Sequence, residues 1–151
     1  MLESWNMKKL LAIVVLGLLW SNASFAQSLK PLKNYIDENA STINDPVVVS
    51  YIFKRCGAVY TFASAVSKDA QADTFAKLSN EALLVAGEIL LKKLQWSGYE
   101  VSENLKTEVT KMVIYYKEDG QDFFSRTGLY MKNNYIGDDL FICKEMMQKF
   151  R

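Results

Sequence analysis

The stretch DPVVVSYIFKRCGAVYTFASAV, residues 45–66, decides the fold. Asp45 stands where its carboxylate can accept from the free N–H groups of a first helical turn, and Pro46 fills the position that needs no donor. Behind this cap, Val47, Val48, Val49, Ile52, Phe53, Cys56, Val59, Tyr60, Phe62, Ala63 and Val66 surround the helix axis almost completely. A helix apolar nearly all round is one enclosed by others. The spacing therefore predicts a central helix to about Val66.

Working outward, the short linker at Ser67-Lys68-Asp69 predicts a second helix returning antiparallel beside the first, over about Ala70 to Trp96. Phe75, Leu78, Ala82, Leu83, Val85, Ala86, Ile89, Leu90 and Leu94 recur at three- and four-residue steps, with Lys77, Glu81, Glu88 and Lys92 opposite. Gly98 is placed to end it in a left-handed conformation. Ser102 is the expected cap of a third helix carrying Leu105, Val109, Met112, Val113 and Tyr116 to about Met131, continuous or bent at Gly120. Asn133, Asn134 and Gly137 make a loop, and Asp138 is the expected cap of a last helix through about Phe150. Residues 27–44, with Pro31 and no sustained period, read as an irregular N-terminal arm with at most one helical turn, docking through Leu29, Leu32, Tyr35 and Ile36. Residues 45–151 are thus expected to form one all-α domain, a four-helix bundle.

Residues 1–26 have the layout of an export signal. Lys8 and Lys9 precede the apolar run Leu10 to Trp20, and Ser24-Phe25-Ala26 is a small-x-small cleavage site before Gln27. The run is shorter than the roughly 20 residues that span a bilayer, so cleavage and a periplasmic or secreted location are expected. No lipobox ends the signal, so no membrane anchor is expected after cleavage. Met7 begins a signal of ordinary layout, and translation starting at Met1 or at Met7 is compatible with it. Cleavage removes Glu3, Lys8 and Lys9 and leaves a formal charge of zero. Without a basic cluster there is little means of displacing counterions from a phosphate backbone, which disfavours nucleic acid.

Cys56 and Cys143 are too far apart for a CxxC redox pair or a metal knuckle. In an oxidising compartment an even count reads most simply as one structural disulfide, joining the central helix to the last; the alternative is two buried thiols. Closing so long a loop would contribute on the order of 4 kcal/mol.

The chain contains no histidine. Ser-His-Asp triads, Cys-His pairs and the common zinc and copper sites are thereby closed. Carboxylate, lysine or tyrosine chemistry stays open, but no constellation for it stands out, and no enzyme activity, cofactor or metal is expected. Glu118, Asp119 and Asp122, and Asp138-Asp139, lack the alternating ligand spacing of a calcium loop and read as a solvated turn and a helix cap. Met112, Met131, Met146 and Met147 read as core fillers rather than a copper site.

Four residues are candidates for ligand or partner contact. Arg55 lies beside Cys56 on a helix with little polar surface. A buried guanidinium there must find an anionic ligand or a carboxylate, whereas the commoner arrangement is a packed stem with its head in water. Tyr116, Phe123 and Tyr130 belong to the aromatic segment 115–141, which either lines a pocket for an apolar ligand or forms the core and its rim.

Arg55-Cys56-x-Ala58-x-Tyr60 and Asp139-Leu140-x-x-Cys143 resemble motifs of uncharacterised small exported helical proteins of Gram-negative bacteria. The resemblance implies the disulfide and the bundle and carries no activity. More distantly, the chain is similar to periplasmic helical immunity proteins that block secreted toxins. The expected function is a non-enzymatic periplasmic or secreted binding or accessory protein acting through a helical face on a protein partner. The alternatives are a small apolar-ligand carrier using segment 115–141 and an immunity-type inhibitor.

Overall fold

The structure, a computed structural model, describes residues 29–150; the export signal at 1–26 and the choice between Met1 and Met7 lie outside the described residues. Those residues form five α-helices and one 3-10 turn, with no strand among them. We number the helices α1 (Leu32–Glu38), α2 (Pro46–Val66), α3 (Asp69–Lys92), α4 (Gly98–Thr127) and α5 (Tyr135–Lys149). The fold is all-helical, with one disulfide between Cys56 and Cys143.

The central helix forms where its cap and apolar pattern place it. The Asp45 carboxylate accepts from the Val47 N–H at 2.8 Å, Pro46 occupies the first turn, and residues 52–63 of α2 are all buried. α3 returns antiparallel beside it, since Ser64 donates to the Ala72 carbonyl at one end and Ser79 donates to the Gly57 carbonyl further along. α4 packs back against both, with Val101 and Leu105 beside Gly87 of α3, and Gly120 beside Phe62 of α2. α5 joins α2 through the disulfide, the Arg55–Asp139 ion pair and the Phe53–Phe150 ring contact. All three fall between Phe53 and Cys56, about one turn of α2, so α5 crosses the central helix rather than running beside it.

Several boundaries differ from the expected ones, each for a local reason. Residues 27–44 were expected to be irregular, but Leu32–Glu38 is helical and a 3-10 turn follows at Ala40–Thr42. Leu32 is fully buried and docks the arm, whose α1 packs on α5. α3 stops at Lys92 rather than Trp96, because Gln95 takes the left-handed conformation (φ 56°) and the Trp96 N–H turns back to the Leu90 carbonyl. Gly98 is not its terminator; it is the first residue of α4. The cap of α4 is Ser97 rather than Ser102, in a reciprocal box where the Ser97 hydroxyl accepts from the Glu100 N–H and the Glu100 carboxylate accepts from the Ser97 N–H. α4 runs unbroken through Gly120 and ends at Thr127 rather than Met131, with Gly128 supplying the left-handed cap (φ 73°). The cap of α5 is Asn134 rather than Asp138, and the helix ends at Lys149, one residue short of Phe150.

Gly120 is required by close approach rather than by a bend. A Cβ there would lie 2.3 Å from Cζ of Phe62, whose ring is held between Tyr116 and Tyr130. Gly120→Ala should therefore lower stability by about 1 kcal/mol or more in denaturant unfolding, although alanine is the better helix former, because the enclosed ring cannot retreat. A gain in stability would show that the ring has room. The disulfide closes a loop across 87 positions. Its reduction should cost about 4 kcal/mol and lower the unfolding midpoint followed by tryptophan emission, and an unchanged midpoint would contradict that role.

Candidate functional site

The most distinctive chemistry of the fold is a cluster of charge buried where α2, α4, α5 and the N-terminal arm meet. Arg55 and Asp139 are both fully buried, and Nη2 of Arg55 stands 2.6 Å from Oδ2 of Asp139. The Tyr116 hydroxyl bridges them, accepting from Nε of Arg55 at 3.0 Å and donating to Oδ2 of Asp139 at 2.6 Å. Nη1 of Arg55 donates to the Lys30 carbonyl at 2.8 Å and to the Tyr51 hydroxyl at 3.3 Å. Oδ1 of Asp139 accepts the Leu32 N–H at 2.8 Å, one of the free donors at the start of α1. Both members of the ion pair thus hold the backbone of the arm. No buried side-chain nitrogen or oxygen among the described residues lacks a hydrogen-bond partner.

Burial works against the charge of Arg55, but Tyr116, Asp139 and Tyr51 more than offset it and raise its pKa above the ordinary arginine range. Burial pushes the Asp139 carboxyl up, against the downward pull of Arg55, Tyr116 and the Leu32 N–H. Burial also holds the Tyr116 hydroxyl well above its usual range, so it stays protonated and can keep donating. Three donors facing the two carboxylate oxygens are the arrangement of an ionised acid. Arg55, Tyr116 and Asp139 are fully buried and already partnered, so these three side chains form a clamp.

The four sequence candidates separate into two places. Arg55 and Tyr116 lie in the buried clamp, so neither is a surface contact, and Arg55 does not keep its head in water. Phe123 and Tyr130 are half-buried at the far end of α4. Rings link the two places: Tyr116 stacks with Phe62 at 6.4 Å, Phe62 meets Tyr130 edge-on at 6.1 Å, and Tyr130 stacks on Phe124 at 4.4 Å. Phe123 packs edge-on to Tyr135 at 6.0 Å and carries the Arg126 guanidinium 5.3 Å from its ring centre. Segment 115–141 therefore divides, with Tyr116 in the core, Phe123, Tyr130 and Tyr135 at its rim, and Phe124 and Phe141 exposed. Next to Tyr130 an open cleft of ≈ 480 Å³ runs between the end of α2 and the middle of α4.

Asp139 is the functional residue that sequence reasoning misread, as part of a solvated cap. Its signal was position: Arg55 adjoins Cys56, and Asp139 stands one turn before Cys143, so the disulfide brings both to one junction. The neighbouring acids are ordinary by contrast. Asp119 accepts a short hydrogen bond from the Tyr135 hydroxyl, and Asp122 pairs with Arg126 on the exposed side of α4. Lys54 is also buried, its Nζ donating to Oδ1 of Asn104 at 3.1 Å, with burial lowering its pKa against the opposing field of Glu108.

Comparison of the chain with protein-family models, curated proteins and solved structures finds no match. The site's meaning has to come from its own geometry.

Asp139→Asn keeps the side-chain size and removes the counter-charge of a buried guanidinium, so it should cost about 3–5 kcal/mol in denaturant unfolding with the disulfide intact. Asp122→Asn, which breaks an exposed pair one helical turn long, should change stability by no more than about 0.5 kcal/mol. Equal effects at the two positions would refute the clamp.

Proposed function

We propose that this chain is a non-enzymatic binding or accessory protein of the periplasm or the cell exterior, acting through the face formed by the end of α4 and the turn that follows it. One observation carries the reading. The groups best suited to chemistry, Arg55, Tyr116 and Asp139, are sealed in a structural clamp, while Phe124 and Leu129 stand 43% and 44% exposed beside Tyr130. Exposed aromatic and aliphatic side chains grouped on a rigid element are what a partner-binding surface uses for its anchors. Gly128 ends α4 in a left-handed turn, which brings Tyr130 back onto Phe124 and places Leu129 at the edge of the group.

The compartment rests on the export signal read from residues 1–26 and is supported by the disulfide, which persists where thiols are oxidised. Among the described residues no helix is long and apolar enough to cross a membrane. An immunity-type inhibitor would be one member of this class, and its toxin would be the partner.

Replacing Phe124 and Leu129 together by serine should leave the unfolding midpoint within a few degrees of the parent, because neither side chain belongs to the buried core. It should weaken a stoichiometric partner recovered from envelope extracts by about 30-fold or more, the effect of losing one anchor worth at least about 2 kcal/mol. Retention of that partner at undiminished affinity would exclude this face.

A further inference from the structure

We infer that the turn between α3 and α4 docks on a lipid bilayer surface with anionic headgroups, resting Leu94, Trp96 and Tyr99 in the interfacial layer. The inference goes beyond the partner-binding reading, uses the opposite end of α4, and holds or fails without it.

Residues 94–99 read Leu-Gln-Trp-Ser-Gly-Tyr, an uncharged run in a chain of which 23% is charged. Its large side chains do not serve the core. Leu94 and Trp96 are half-buried and lie outside the core and the side chains packed on it, and Tyr99 is 76% exposed. The Trp96 indole N–H and the Tyr99 hydroxyl make no hydrogen bond among the described residues, so both polar tips are left to solvent. The backbone presents these groups at one end of the molecule. Gln95 turns left-handed, the Trp96 N–H returns to the Leu90 carbonyl, and the Ser97–Glu100 box starts α4 at once. The antiparallel register set by Gly57 with Ser79 and Ser64 with Ala72 brings Val47, 57% exposed, near the last turn of α3 at this same end.

Charge beside the turn selects the occupant. Lys92 and Lys93, both exposed, stand directly before it. Lys92 lies 3.6 Å from Glu88, and Lys93 enters no ion pair among the described residues. Glu100, the first acid beyond the turn, is directed onto the Ser97 N–H. Rings with an apolar body and a polar edge collect at membrane–water interfaces, where neighbouring lysines extend to the phosphates. The cores of protein interfaces are instead depleted in lysine. Contact of this kind needs no spanning helix. The 30 residues of α4, about 45 Å long, separate this turn from Phe124 and Leu129 and leave that face open to a protein.

Removal of residues 1–26 leaves Trp96 as the only tryptophan, so its emission reports on the turn itself. Titrating the mature, disulfide-bonded chain with vesicles of phosphatidylethanolamine and phosphatidylglycerol should shift that emission to the blue, and lipids brominated near the headgroup should quench it. Tyr99→Ser should weaken partitioning about fivefold with the unfolding midpoint kept, since the ring is exposed. Lys92→Gln with Lys93→Gln should weaken it about tenfold, whereas Lys77→Gln with Lys144→Gln, an equal charge change at exposed positions elsewhere, should leave it unaltered. Phe124→Ser with Leu129→Ser should also leave it unaltered, which separates this surface from the partner face. An emission unmoved by vesicles, undiminished partitioning of the Tyr99→Ser chain, or equal losses from the two lysine pairs would each overturn the assignment. So would loss of the extract partner by the Tyr99→Ser chain, which would make the turn a protein contact.

Discussion

A guanidinium and a carboxylate cut off from water must be joined, and that requirement organises this molecule. Taking either charge out of water costs several kcal/mol, which only a close partner and further hydrogen bonds offset. Arg55 and Asp139 meet it across 84 positions of sequence, with Tyr116 of α4 completing the contact. The remaining hydrogen-bonding capacity of the pair goes to the carbonyl of Lys30 and the N–H of Leu32. One ion pair thus connects three helices and the N-terminal arm. It has partners in only one relative placement of those elements, so it acts as a register as much as a source of stability.

The disulfide works on the same junction by a different mechanism. Cys56 follows Arg55 directly and Cys143 lies one turn beyond Asp139, so the covalent and ionic links stand side by side where α5 crosses α2. The covalent link restricts the unfolded chain, whereas the ion pair penalises wrong arrangements of the folded one. Together they account for an arm that packs as a helix. The apolar face of α1 is short, but Leu32 is fully buried and its N–H is held by Asp139.

From this clamp a row of rings, Tyr116, Phe62, Tyr130 and Phe124, leads to the surface at the end of α4. Gly120 makes the row possible by letting Phe62 lie against the helix backbone. The cleft and the exposed side chains both belong to this end of the molecule, with the buried Phe62 and Val113 behind the cleft.

Sequence by itself determined the helical class, the extent of the central helix and its Asp45-Pro46 start, because these follow from local hydrogen bonding and from apolar periodicity within one segment. It also brought Arg55 forward as a residue that would need an anion if buried. Where two local signals competed, the choice went astray: Gly98 read as a stop hid the Ser97-x-x-Glu100 cap, and Asp138 hid Asn134. The helix of the arm was not legible because seven residues have too little periodicity to register, and it is held by tertiary contacts. Only the tertiary structure decided that Asp139 is the anion for Arg55, that Tyr116 is interior while Phe124 is exposed, and that a cleft with two lysines opens beside Phe62. Each of these depends on which distant side chains share a space, and the crossing of α5 over α2 sets that for the clamp, as the close approach of α4 to α2 at Gly120 does for the cleft.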